Sequence, residues 1–130
     1  MKVPAKCAAL RPSHATATET AGITLAAITA YQALFATANV QPGQTIFVNG
    51  GSSSVGAFAI QIAKAKGVKT VVASCSMKNE AFVKSLGADE VVDYTAGPLH
   101  ETLQALYPAP KFDAFIDAGM YSLFLIVTIC

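Results

Sequence analysis

Apolar side chains recur at spacings of three and four between Thr20 and Val40, through Ile23, Ala27, Ala30, Leu34 and Ala38. That pattern predicts a helix laid against a flat surface, stopped by Gln41-Pro42-Gly43. Thr45 to Val48 is a short apolar run between Gly43 and Gly50, as a strand covered on both faces would be. A helix is predicted from Val55 to Lys66 through Ala59, Ile62 and Ala63, with Gly67 as its left-handed cap. Lys69 to Ala73 reads as a second strand, Asn79 to Leu86 as a helix stopped by Gly87, and Glu90 to Asp93 as a third strand. Pro98 to Leu106 is amphipathic through Leu99, Leu103 and Leu106, with Pro98 suited to a first helical turn, and Phe112 to Asp117 reads as a fourth strand.

Strands alternating with short helices imply right-handed crossovers and a parallel sheet with helices on both faces: an α/β, doubly wound fold of about four parallel strands. Residues 1 to 19 lack either periodicity and read as an irregular N-terminal arm preceding one domain over residues 20 to 130. Beyond Asp117 only about five residues precede Leu123, too few for the dozen-residue crossover that a parallel neighbour needs. The apolar stretch from Leu123 to Ile129 is therefore expected to return antiparallel to the fourth strand through a turn at Gly119 to Ser122.

Composition narrows the function classes. With 130 residues, 53% apolar and 13% charged, there is material for one core. A net charge of +1 supplies no basic field for nucleic acid. Cys7, Cys75 and Cys130 have no CxxC spacing and an odd count, which favours reduced thiols over a disulfide framework, and no metal site is expected. The first 22 residues are interrupted by Pro4, Lys6, Arg11 and Pro12, and the apolar tail is far below the roughly 20 residues of a membrane span. A cytoplasmic location with no membrane span is the expectation.

The segment richest in chemistry is Val48-Asn-Gly-Gly-Ser-Ser-Ser-Val-Gly56, between the first predicted strand and the following helix. Small residues there let backbone N–H groups approach a pyrophosphate, and the helix N-terminus adds partial positive charge. The G-x-G-x-x-G fingerprint appears as Gly51-Ser52-Ser53-Ser54-Val55-Gly56, with Ser at the middle glycine. A Walker loop would need a Lys that does not occur before Lys64. The formal Tyr-x-x-x-Lys match at Tyr107 to Lys111 contains two prolines that forbid the helix such a pair requires.

At the end of the second strand, an Asp or Glu would bind a ribose 2′-hydroxyl and repel a 2′-phosphate. Ala73-Ser-Cys-Ser-Met-Lys-Asn79 has hydroxyls and one cation instead, which predicts NADPH over NADH, with Lys78 available for a charge-assisted contact. A Lys that merely precedes a helix and points into water is the alternative.

These residues together resemble the cofactor domain of the medium-chain dehydrogenase/reductase superfamily, in its zinc-independent quinone oxidoreductase and enoyl reductase branch. Four stretches carry the resemblance: Ala21 to Leu34, similar to the helix joining that family's two domains, with Thr24 where Pro is usual; Asn49 to Lys64, similar to its cofactor turn and helix; Ser85 to Tyr94; and Lys111 to Gly119. The resemblance implies a Rossmann-like fold, a dinucleotide cofactor and hydride transfer from NADPH to an activated alkene or quinone. It implies pyrophosphate contacts from Gly51, Ser52, Ser53, Ser54 and Val55, and 2′-phosphate contacts from Ser74, Ser76, Lys78 or Asn79, and Tyr94. Thr29 resembles a threonine near the nicotinamide, and Ala118 and Gly119 resemble the strand end beside the cofactor. For Thr29 a hydroxyl bonded within its own helix is the alternative.

That family also has a catalytic domain ahead of the cofactor domain and further strands after the fourth, so the sequence reads as a cofactor domain truncated after about residue 119. The implied partners are a dinucleotide and, in the full family architecture, a small-molecule substrate, with homo-oligomers common. A non-catalytic dinucleotide-binding or interaction module, or a truncated product without activity, is the competing reading. His14 and His100 have no carboxylate and nucleophile near them in sequence, and Asp113 and Asp117 are assigned no catalytic role.

Overall fold

The computed structural model describes residues 4–108, 111–119 and 127–128. A single 3₁₀ turn, Ala5–Cys7, precedes helix α1, Ala17–Tyr31. The helix starts ahead of Thr20 because Thr16-x-x-Glu19 forms a capping box: the Thr16 hydroxyl accepts from the Glu19 N–H at 3.2 Å while the Glu19 carboxylate accepts from the Thr16 N–H at 2.8 Å. The Thr16 N–H, and then the Thr16 hydroxyl donating to the same oxygen at 2.7 Å, favour the ionised acid and hold the Glu19 carboxyl below its ordinary range.

The winding then changes. Gln32–Thr37 continues as π-helix, and the chain leaves it through Asn39 at φ 50°, with the Val40 N–H donating back to the Leu34 carbonyl at 2.8 Å. The helix thus stops at Asn39, ahead of Gln41-Pro42-Gly43. Its buried face is Ala26, Ala30, Ala33, Leu34 and Ala38, whereas Ile23 is 43% exposed. A strict α-helical reading places Ile23 on that face. The continuous helical stretch Ala17–Thr37 is long and apolar enough, by length and composition, to cross a membrane, a test that a core helix also passes.

Strand β1, Thr45–Asn49, leads into α2, Ser54–Ala65, then β2, Thr70–Cys75; a 3₁₀ turn, Met77–Asn79, precedes α3, Glu80–Ser85. Strand β3, Glu90–Asp93, α4, Leu99–Leu106, β4, Ala114–Asp117, and β5, Val127–Thr128, complete the described elements. The strand order is β3-β2-β1-β4-β5, with β1, β2, β3 and β4 parallel. β5 pairs antiparallel with β4, Ile116 opposite Val127 and Phe115 opposite Thr128, as the short connection requires. The rest of the expected return, Leu123 to Ile126 and Ile129, and its turn beyond Gly119, lie outside the described residues.

The two faces of the sheet bury different side chains because successive strand residues point to opposite sides. Ile46, Val48, Val71, Ala73 and Ile116 face one layer with Ala30, Leu34, Ile60, Ala63 and Val83 from the first three helices. Phe47, Val72 and Val92 face the other, where Leu99, Leu103 and Tyr107 pack with Phe112 and Phe115. The Tyr107 hydroxyl donates to the Glu90 carboxylate, which ties the end of α4 to β3, and the Lys111 ammonium lies 4.3 Å from the Tyr107 ring centroid. The result is a Rossmann-like α/β fold with helices on both faces.

Candidate functional site

The chain runs β1, β2, β3 to one side and then returns to place β4 on the other side of β1. In open parallel sheets such a reversal of strand order leaves a crevice at the carboxyl ends of the strands. The residues from Asn49 to Val55 fill the base of that crevice.

The turn there is built by two glycines with different tasks. Gly50 has φ 75°, in the left-handed region, and its carbonyl accepts from the Ser53 N–H at 2.9 Å. Gly56, on the first turn of α2, lies where a β-carbon would be 2.2 Å from the Gly50 carbonyl oxygen, so only glycine lets the helix approach the strand end. Ser53 caps α2, its hydroxyl accepting from the Gly56 N–H at 3.0 Å. Ser54 is exposed as the first helical residue, one position ahead of Val55; Ser52 is half-buried, and the Val55 side chain packs on the core.

Gly51 has a different role from the one its place in the fingerprint suggests. It is buried, and a β-carbon there would meet the Ala73 β-carbon at 2.9 Å and Ile60 Cδ1 at 3.2 Å. The missing side chain makes room for core atoms beneath the turn. Gly50 and Gly56, absent from the expected contact set, carry the turn and the close helix approach. The Asn49-Gly50 pair, a strong turn dipeptide, is the sequence signal that identifies the former.

Among the described residues, the buried polar side chains are Ser74 and Ser76, both at the carboxyl end of β2. Ser74 is fully buried and donates to Asn49 Oδ1 at 2.6 Å while accepting from the Gly50 N–H at 2.9 Å. Its carbonyl accepts from the Gly51 N–H at 2.8 Å. Enclosed in this way, the Ser74 hydroxyl is engaged by the protein's own groups rather than exposed to solvent.

Asn49 continues the chain of bonds, its Nδ2 donating to Asp117 Oδ1 at 2.9 Å; the same oxygen accepts from the Gly119 N–H at 2.9 Å. Ala118 is tied to the same place, its N–H donating to the Asn49 carbonyl at 3.0 Å. Asn49 and Asp117 are register partners on β1 and β4, so the bond bridges the strand-order reversal. Asp117, given no role from sequence, proves to be the terminus of the network. Asp113 is spent on the sheet, accepting from the Thr45 N–H at 2.7 Å.

Ser76, Lys78, Asn79 and Tyr94 gather at the ends of β2 and β3. Ser76 accepts from the Asn79 N–H through its carbonyl at 2.8 Å, and the Tyr94 N–H donates to the Cys75 carbonyl at 3.4 Å. Lys78 and Tyr94 are exposed and Asn79 is half-buried. Behind them Cys75 is fully buried, and burial first, then the charges of Asp93 and Glu80, push its thiol up. Thr29 is not brought into this group through its hydroxyl, which donates to the Leu25 carbonyl at 2.8 Å within α1. His100 is exposed on α4. Among the described residues no three His, Cys, Asp or Glu side chains come together as a metal site.

Sheet order and turn define a dinucleotide-binding type of α/β domain, and comparison with known proteins gives its family. Residues 54–122 match the family model of the zinc-binding dehydrogenases. The chain is 41% identical over 104 residues to a mitochondrial NAD(P)H oxidoreductase of Danio rerio, covering 77% of this chain and 26% of that protein. It is 42% identical over 100 residues to a trans-enoyl reductase of Penicillium oxalicum, covering 76% of this chain and 26% of that protein. Among solved structures, the quinone oxidoreductase of Coxiella burnetii superposes with a TM-score of 0.64 at 37% identity, over 75% of this chain and 28% of that one. The chain belongs to the medium-chain dehydrogenase/reductase superfamily. It spans about a quarter of the length of the curated relatives it matches. The zinc in the family model's description has no fitting donor set among the described residues.

Proposed function

We propose that this chain binds a nicotinamide dinucleotide, NADPH in preference to NADH, as the cofactor domain of an oxidoreductase acting on an activated alkene or quinone. The observation that carries the reading is the Gly50 to Gly56 turn, set at the crevice where the strand order reverses and followed at once by the N-terminus of α2. Backbone N–H groups of Ser52, Ser54 and Val55 would hold the pyrophosphate, where the helix dipole favours negative charge, while the Ser53 N–H closes the turn on the Gly50 carbonyl. The names of the relatives, an NAD(P)H oxidoreductase and a trans-enoyl reductase, supply the reaction class.

The preference for NADPH rests on the end of β2. There Ser74-Cys75-Ser76 stands where a ribose-binding carboxylate would repel a 2′-phosphate, and Ser76, Lys78, Asn79 and Tyr94 form the surrounding group. With Ser74 turned inward, Lys78 is the cation of that group and the residue on which discrimination depends. Hydride transfer is the chemistry that a bound nicotinamide supplies; this chain's residues bind and orient it. Calorimetric titration of the chain with NADPH and NADH tests the assignment. Tighter binding of NADPH is expected, and tighter binding of NADH would reverse the cofactor preference. Binding without turnover of quinones or enones would assign the chain a binding role alone.

A further inference from the structure

Ser74, Asn49 and Asp117 lie on three neighbouring strands, β2, β1 and β4, and their side chains form one continuous line of hydrogen bonds donated in one direction and ending on the Asp117 carboxylate. The Gly50 N–H donates to Ser74 Oγ, the Ser74 hydroxyl to Asn49 Oδ1, and Asn49 Nδ2 to Asp117 Oδ1, at 2.9, 2.6 and 2.9 Å. The Gly119 N–H also donates to that carboxylate oxygen, at 2.9 Å. Each donor polarises the next, and the series ends on an ionisable acid, the arrangement in which hydrogen bonds reinforce one another.

We propose that this line is a positioning relay: Asp117, through Asn49 and Ser74, fixes the Gly50 peptide that opens the turn, and Ser74 acts on the shape of the turn rather than on a 2′-phosphate. The inference rests on the reading of the turn as a dinucleotide cradle. Gly50 needs such a hold because its φ of 75° is one of several conformations open to glycine, and the free N–H would otherwise be paired with water. The Asn49 amide, held at one end by Ser74 and at the other by Asp117, has a single orientation that satisfies both. Gly119 is fixed by the same carboxylate, so the relay also ties the turn to the segment after β4 that packs against it, where a β-carbon on Gly50 would lie 3.2 Å from Gly119 Cα.

The consequence separates a positioning role from a contact role. A residue that shapes the turn affects the pyrophosphate, which NADPH and NADH share; a residue that touches the 2′-phosphate affects NADPH alone. Titrating the full 130-residue chain and its Ser74→Ala variant with both dinucleotides, we expect both affinities to fall about tenfold with their ratio unchanged, since the variant loses both the bond accepted from the Gly50 N–H and the bond donated to Asn49. Asp117→Asn keeps an acceptor oxygen but removes the charge, so both affinities should fall by a smaller factor, about threefold; it carries the test should Ser74→Ala not fold. Because Ser74 and Asp117 both act through Asn49, the double variant Ser74→Ala/Asp117→Asn should bind both dinucleotides little more weakly than Ser74→Ala alone, whereas two independent packing defects would add. Loss of NADPH affinity alone, unchanged affinity for both, or fully additive losses in the double variant would overturn the relay. Binding of neither dinucleotide by the unaltered chain would instead overturn the reading of the turn, and the relay's role with it.

Discussion

Gly56 stands so close beneath Gly50 that a β-carbon on it would lie 2.2 Å from the Gly50 carbonyl oxygen and 2.9 Å from its carbonyl carbon. Both contacts are with backbone, which cannot swing aside as a side chain does. Gly56→Ala must therefore push α2 away from the end of β1 or distort the left-handed Gly50. A loss of about 1 to 3 kcal/mol, the range of overpacked interiors, is expected in denaturant unfolding. Undiminished stability would mean that helix and turn separate more easily than their packing implies.

Gly51 gives a different prediction because its missing side chain faces the core. Gly51→Val should lower the unfolding midpoint whether or not a nucleotide is present, since the added carbons meet Ala73, Ile60 and Val83. Removing the nearest of these by Ala73→Gly should make the double variant more stable than the sum of the two single losses. Strict additivity would show that the two positions do not compete for the same space.

Lys78 tests cofactor discrimination. It is exposed, so a contact with a 2′-phosphate would be screened, and Lys78→Ala should weaken NADPH by about 1 kcal/mol with NADH nearly unaffected. Titration of both cofactors against both proteins gives the comparison. Equal losses for the two would remove Lys78 from the 2′-phosphate group.

Much of this architecture is legible in the sequence because the signals are local. Glu90 to Asp93 is a strand with the expected ends, and Gly67 and Gly87, at φ 82° and 108°, follow their helices as left-handed caps should. The π-helical segment at Gln32–Thr37 is not legible: α and π winding call for the same apolar residues, and only packing selects between them. The glycine fingerprint locates the turn but not which glycine bends and which makes room, because Gly50 and Gly51 are adjacent and differ only in what surrounds them. The setting of Ser74 is not legible for a related reason. A hydroxyl at a strand end can face a ligand or its own sheet, and what turns it inward here is Asn49, 25 residues away along the chain.

The β4 edge carries a further prediction. β5 is short, Val127–Thr128, but it pairs with the edge opposite β1. Deleting residues 123–130 would uncover that edge in a strand containing Phe115 and Ile116, and reduced stability with concentration-dependent association is expected. Sedimentation velocity at several concentrations would show it. Unchanged stability with a monomeric profile would mean that β5 contributes no cover.

Stability at alkaline pH has a sign fixed by two groups. Burial, reinforced by Asp93 and Glu80, raises Cys75 above its ordinary value near 9.0. Burial, reinforced by the hydrogen bond to Glu90 and that residue's charge, raises Tyr107 well above its ordinary value near 10.0. In both cases the folded chain holds a proton that the unfolded chain releases at lower pH. Their contribution is therefore complete below the ordinary values and is lost as pH rises past them, at up to about 1.4 kcal/mol per pH unit for each proton. The denaturant midpoint should show no loss from these groups through neutral pH and should begin to fall above pH 9.0, where Cys75 enters first. Cys75→Ala removes one ionisation while leaving Tyr107 in place, so the onset of the fall should move toward pH 10.0. A Cys75→Ala profile with the same onset as the unaltered chain would show that the thiol does not set the first step, and a midpoint rising above pH 9.0 would contradict the sign for both groups.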